Sequence, residues 1–183
     1  MKIAKTFCDG LHLLQLKTIQ DERGWFARLS CDQTLLALGL QGGFPQVNQS
    51  QCARRGVFRG LHYQMAPKAE SKLVRCVAGR VLDVSVDVRR GSPTFLKWYA
   101  VELSADEPTE LYVAGGFAHG YLALTDGATV VYQSSQPYTP ELEGRVHYRD
   151  PRVGIDWPNL ELVVSDKDAS TPFLDAEFSG IEL

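Results

Sequence analysis

The stretch VLDVSVDVR, residues 81–89, restricts the fold of this chain more than any other. It sets Val81, Asp83, Ser85 and Asp87 against Leu82, Val84, Val86 and Val88, and a period of two is sorted onto two faces only by an extended strand. The expectation is a strand buried on its apolar side, with its polar side facing something wet. Further β-rich runs, KLVRCV, FLKWYAVEL, ELYVA, FAHGYLAL and ATVVYQSS, are parted by GR, GSP, SADEP, GG and TDG turns. Many strands at short spacing indicate an all-β sandwich or barrel. The best short helix is LLALGLQGGF near residues 35–44, ended by its glycine pair as a C-cap would end it. From HYRDPRVGIDWP onward the chain reads as a loop wrapped around the barrel, with SDKDAS as a helix start.

With 183 residues, 44% of them hydrophobic, and no repeat or linker, the chain reads as one domain over residues 1–183. A net charge of −3 offers no basic stripe for nucleic acid. Arg54, Arg55, Arg59, Lys72 and Arg75 nevertheless crowd one segment, and a small phosphorylated ligand suits such a cluster. The N-terminal stretch has no apolar run of membrane-spanning length and no leader pattern, so a cytoplasmic protein with no membrane partner is expected. Cys8, Cys31, Cys52 and Cys76 are too scattered for a zinc or disulfide framework and read as reduced, mostly buried thiols.

Arg59, His62, Lys72, Asp83, Asp87, His119 and Tyr132 all fall in predicted strands or at their ends. Inward positions of a small barrel either pack or line a cavity, and this polar set suggests a ligand pocket. A lone histidine in a strand is ordinarily a hydrogen-bonded structural residue, and a lysine at a strand start or a tyrosine in VVYQ is ordinarily a rim cation or a packed aromatic. Their combination points elsewhere. Arg59 and His62 stand three residues apart in FRGLHYQ, so a regular strand sends them to opposite faces; Gly60 permits a bulge that turns both to one side. Neither His62 nor His119 has a neighbouring ligand, so no metal is expected. A histidine base, a cation and a tyrosine acid suit proton abstraction beside a carbonyl.

The motifs GVFRGLHYQ, KLVRCVAGRVLDVSVDVR, GSPTF, GGFAHGYLAL, YTPELEG, DPRVGIDWP and SDKD, in that order, closely resemble the dTDP-4-dehydrorhamnose 3,5-epimerases from about Asp21 to Asp168. The resemblance implies a cupin, or jelly-roll, β-barrel with a few short helices, acting without metal or cofactor as a homodimer on a nucleotide-linked 4-keto-6-deoxy sugar. It implies His62 as general base, Asp168 as the carboxylate that orients it, Lys72 at the enolate oxygen and Tyr132 as the acid on the opposite face. Arg59 and His119 hold sugar and diphosphate; Tyr138 and Lys167 lie near the sugar-nucleotide. Arg23 and Phe26 in DERGWF contact the nucleotide, with Arg23 often serving the neighbouring subunit.

This chain departs from the family pattern at Arg28, where relatives carry an acidic residue, and its QVNQSQ segment leaves open which of Gln46, Asn48 and Gln49 meets the base. Inversion of both C3 and C5 is the leading expectation. A single-site epimerase, a sugar-nucleotide 3,4-ketoisomerase and a sugar-binding cupin without activity are the alternatives.

Overall fold

The computed structural model describes residues 1–183. Its strands are β1 (Lys2–Cys8), β2 (Leu11–Gln15), β3 (Thr18–Asp21), β4 (Gly24–Ala27), β5 (Gln46–Gln51), β6 (Phe58–Gln64), β7 (Lys72–Ala78), β8 (Arg80–Asp87), β9 (Trp98–Ser104), β10 (Thr109–Val113), β11 (Phe117–Ala123), β12 (Thr129–Ser134) and β13 (Glu143–Arg145). Two short helices, α1 (Asp32–Ala37) and α2 (Asp166–Ala169), complete it. Six strands form one sheet in the order β1-β2-β10-β7-β12-β5, five form a second in the order β13-β6-β11-β8-β9, and β3-β4 is a separate hairpin. Every ladder in them is antiparallel. This is the expected all-β jelly roll.

One apolar core joins the two sheets, with Val74, Cys76, Leu111 and Val130 from the first against Val81, Leu103, Phe117 and Tyr121 from the second. Side chains of this size contribute roughly 1.5–3 kcal/mol each when fully buried. A second core lies on the other face of the five-stranded sheet. There Phe58, Leu61, Tyr63, Val84, Val86 and Leu122 meet Ile155, Trp157, Leu162, Val164 and Phe178 of the C-terminal segment. That segment is stitched on by Phe58 N–H to Val163 O at 2.9 Å and Val163 N–H to Gly56 O at 2.8 Å, and it is the wrapping loop expected from its proline-rich sequence.

The tail corrects the reading of VLDVSVDVR. Its apolar side packs beneath the tail, while Asp83, Ser85 and Asp87 point the other way and are at most 1% exposed. They do not face water: Asp83 accepts from His119, and Asp87 accepts from Arg89, Ser92 and Thr94. Asp87 therefore holds the loop into β9 instead of lining a ligand pocket. Buried carboxylates tolerate such places only when partnered.

The first helix also lies further toward the N-terminus than LLALGLQGGF suggested. It runs over Asp32–Ala37 with Leu38 as its C-cap, followed by Gly39 at φ 75°, so Gly39 and not the Gly42-Gly43 pair stops it, as the left-handed position after a helix favours glycine. Asp32 then accepts from Gly43 N–H at 3.0 Å, which folds the remaining glycines back over the helix start.

The bulge expected at Gly60 is present. His119 pairs with His62 and Tyr121 with Arg59, so β6 spends one residue more than β11 between these pairs. Phe58, Leu61 and Tyr63 thereby enter the outer core, whereas Arg59, His62 and Gln64 face the barrel interior. Gly60 sits at φ 137°, and a Cβ there meets Gly120 Cα at 2.7 Å and His119 O at 3.0 Å. A Gly60→Ala variant is expected to cost roughly 3 kcal/mol, seen in thermal melts as a fall in Tm of roughly 6–12 °C; an unchanged Tm contradicts this account of the crossing.

On the outer face of the six-stranded sheet, Glu110 is 2% exposed. Burial pushes its carboxyl up to about 7, with nearby Arg75 pulling back only in part. The folded state thus holds this proton more tightly than the unfolded chain, so the group's contribution is most favourable at low pH and is lost as pH rises toward 7. In chemical denaturation, Glu110→Gln is expected to gain stability relative to the parent protein between pH 5 and pH 8; a pH-independent difference contradicts the burial argument.

Candidate active site

Between the sheets, beneath the C-terminal segment, lies a cavity of about 500 Å³ whose walls include Arg59, His62, Lys72, His119, Tyr132, Lys167 and Asp168. A second chamber of about 290 Å³ adjoins it, sharing His62, Lys72 and Tyr132 and adding Gln46, Asn48, Gln64, Glu70, Tyr138 and Glu143. Eight of the ten residues expected at the site therefore line one continuous space.

His62 reaches it from β6 because of the bulge. Its Nε2 donates to Asp168 Oδ1 at 2.7 Å, leaving Nδ1 free to accept a proton. Asp168 is placed by α2, whose N-cap Ser165 accepts from the Asp168 N–H at 3.1 Å. Burial raises the Asp168 carboxyl, but the hydrogen bond and charge of His62, with Ser165 and the Gly60 N–H, outweigh it and hold the group below the usual carboxylate range. Asp168 is thus an anion at neutral pH, fixing the imidazole's tautomer and orientation.

Across the barrel, Tyr132 and Lys72 come from β12 and β7 of the other sheet, adjacent strands of that sheet. Burial, then the charge of Glu70, raises the Tyr132 phenol, against a smaller pull from Arg59; the hydroxyl is a proton donor at neutral pH. Lys72 Nζ stands 2.9 Å from Glu70 Oε1, both side chains being nearly buried. Neighbouring Tyr121 is pushed up to about 12, first by burial, and bonds to Ser50, which marks it as a packing residue of the wall.

His119 Nε2 lies 2.9 and 3.0 Å from the two oxygens of Asp83, so the ring is oriented from behind and its other edge is left for the cavity. Arg59 stands exposed at the mouth, with Nη2 donating to Gln51 O at 3.3 Å. On the far rim Glu143 Oε2 gathers Arg145 at 2.6 Å, Lys167 at 2.9 Å and Tyr138 at 3.4 Å. Gln46 and Asn48 point into the second chamber, while Gln49, one step out of phase, does not line it.

Arg23 and Phe26 are not brought to this cavity. They sit on the β3-β4 hairpin, where Arg23 is 84% exposed and paired only with Asp21 and Phe26 is 64% exposed beside Ile19 and Trp25. Arg28 lies with Phe26 and Lys17 along a separate cavity of about 300 Å³. The presumed cluster of cations also divides: Arg59 and Lys72 reach the site, whereas Arg75 lies over Trp25 on the opposite face of its strand and Arg54 and Arg55 are exposed in a turn. Strand alternation separates Lys72 from Arg75. No three His, Cys, Asp or Glu side chains converge at metal-binding geometry.

Sequence reasoning missed Glu70, which stands outside any recognisable run, and Glu143, which lies within YTPELEG but was given no role. It saw Asp83 but not its partnership with His119, which needs the pairing of β8 with β11.

Among relatives, the dTDP-4-dehydrorhamnose 3,5-epimerase of Shigella flexneri is 41% identical over 181 residues, 97% of this chain and 99% of that protein. Among solved structures, the dTDP-6-deoxy-D-glucose-3,5-epimerase of Legionella pneumophila, in complex with dTDP-4-keto-L-rhamnose, superposes with a TM-score of 0.89 at 38% identity, covering 100% of this chain and 98% of that one. A 3'-monoepimerase of Streptomyces bikiniensis, in complex with dTDP-quinovose, gives 0.83 at 37% identity over 90% of this chain and 83% of its own. Residues 5–176 match the family profile described as dTDP-4-dehydrorhamnose 3,5-epimerase, and the chain belongs to that family.

Proposed function

We propose that this protein inverts C3 and C5 of a dTDP-linked 4-keto-6-deoxy-hexose, forming the 4-keto-L-rhamnose configuration. The observation that carries the reading is the His62–Asp168 dyad on one sheet side of the cavity with Tyr132 and Lys72 on the other. The C4 ketone acidifies the hydrogens on C3 and C5. His62 Nδ1 removes one as a proton, and the electron pair moves into an enolate whose oxygen is met by the Lys72 ammonium. Tyr132 then delivers its hydroxyl proton to the opposite face of the carbon, which inverts it. Solvent takes the proton from His62 and returns one to Tyr132 before the second carbon reacts. General acid-base steps of this kind contribute typically about 10²–10⁴-fold each, and electrostatic support of the enolate adds to them.

Arg59 suits the diphosphate, because guanidinium offers two parallel donors to phosphate. His119, held by Asp83, serves the sugar, while Tyr138 and Lys167, with Gln46 and Asn48, flank the nucleotide end. We read residues 1–183 as one catalytic unit that works as a homodimer in the cytoplasm, in keeping with four free thiols. The exposed Ile19, Trp25 and Phe26 of the β3-β4 hairpin favour cover by a second copy, which lets Arg23 and Phe26 complete the partner's pocket. A second reading, inversion at C3 alone, is favoured by the likeness to the monoepimerase.

In D2O with dTDP-4-keto-6-deoxy-glucose, NMR is expected to show enzyme-dependent deuterium at both C3 and C5, and His62→Asn to slow both at least about a thousandfold. Deuterium at one carbon selects the single-site reading; none with active-site residues intact rejects epimerisation of this sugar. Sedimentation is expected to give twice the 20.3 kDa chain mass, with Arg23→Ala raising KM more than it lowers kcat. A fully active monomer at micromolar concentration contradicts the shared pocket.

A further inference from the structure

One nearly buried carboxylate of the cavity has no part in those proton transfers. Glu70 lies in the turn just ahead of β7, 14% exposed at its side chain, with Oε1 2.9 Å from Lys72 Nζ. Its other oxygen, Oε2, accepts from the Ser134 hydroxyl, and Ser134 is completely buried on β12. The turn itself is fastened to the same strand end, Ser71 N–H donating to Ser135 Oγ at 2.8 Å and Ser135 N–H to Ser71 O at 2.9 Å. Glu70 is therefore gripped on both oxygens, between the strand that bears Tyr132 and the strand that bears Lys72. It lines the second chamber beside both of them and His62.

Desolvating an anion this far is costly, and the bonds to Lys72 and Ser134 offset that cost. We propose that Glu70 is a positioning residue of this epimerase: it clamps the Lys72 ammonium where the ketone oxygen arrives and keeps a negative charge beside the Tyr132 hydroxyl, so that the hydroxyl retains its proton until an enolate takes it. The proposal rests on Tyr132 and Lys72 having the roles assigned above. Tyr132 shares its two chambers with Arg59, His62 and Tyr63 of β6, His119 and Tyr121 of β11, Lys72 of β7, Glu143 of β13, Lys167 and Asp168 of α2, and Glu70 and Tyr138 of the loops. Beyond burial itself, the charges that act on the phenol are Glu70, which raises it, and Arg59, which lowers it. Removing the Glu70 charge leaves Arg59 unopposed, and the phenol then ionises at lower pH.

Glu70→Gln keeps the shape and the bond to Ser134 while deleting the charge. The Tyr132 ionisation is read without substrate, as the ultraviolet phenolate signal of each protein minus that of its Tyr132→Phe counterpart. We expect it to move down by about half a pH unit or more in Glu70→Gln, and Glu70→Asp to restore it. With substrate, deuterium wash-in is expected to show the alkaline limb of kcat displaced in the same direction, with kcat falling up to about threefold along that limb for each half unit moved and KM within about twofold. A phenol signal and alkaline limb unmoved in Glu70→Gln, with Tm preserved, overturn the role of Glu70. Absence of wash-in by the parent protein instead overturns the epimerase reading and this role with it, and the substrate-free titration separates the two failures.

Discussion

The backbone approach of Gly60 to Gly120 is the constraint on which the site depends. At that crossing no room exists for a side chain on either strand: a Cβ on Gly120 comes within 2.5 Å of Arg59 O and 2.9 Å of Gly60 Cα. The extra residue that β6 takes there changes the phase of the strand. Phe58, Leu61 and Tyr63 can then all be buried under the C-terminal segment, while Arg59 and His62 turn inward together. Binding the tail and building the site are consequences of the same bulge. The tail in turn returns Asp168 to His62, 106 residues away in sequence.

Hydrophobic and catalytic demands are met by different faces of the same sheet. A sandwich with one wet face leaves little apolar surface to spare for a polar interior. Here the five-stranded sheet is covered on its outside by Trp157, Leu162, Val164 and Phe178, so part of its inside is free to carry Asp83, His119, His62 and Arg59. Three side chains of the inner walls are each held by a carboxylate: His119 by Asp83, His62 by Asp168, and Lys72 by Glu70. Such pairing fixes side chains before a ligand arrives, which lowers the ordering cost of forming the reactive geometry.

Much of this could be read in the residues. The strand runs, the wrapping tail and the bulge at Gly60 follow from period and from glycine placement, and the resemblance located the eight pocket residues. What local pattern could not supply was context from distant segments. VLDVSVDVR looked like a strand with one wet face because its second cover, the tail, lies more than sixty residues further on. Arg75 looked like a site cation until its phase relative to Lys72 placed it over Trp25. Glu70 carries no motif and Glu143 is one of two glutamates in YTPELEG, and only the folded arrangement shows that they hold Lys72 and the Tyr138–Lys167 rim. The helix misplacement is smaller in kind: several glycines compete to end it, and Gly39 is reached first.

The central claim is that base and acid stand on opposite sides of the sugar ring with a lysine at its ketone. A crystal structure of the protein with a dTDP-4-keto-6-deoxy-hexose bound tests it most directly. The account predicts the ring between His62 Nδ1 and the Tyr132 hydroxyl, with Lys72 Nζ within about 3 Å of the C4 oxygen and the diphosphate at Arg59. A ring with His62 and Tyr132 on the same face, or a nucleotide sugar seated instead in the Arg28 cavity, contradicts it.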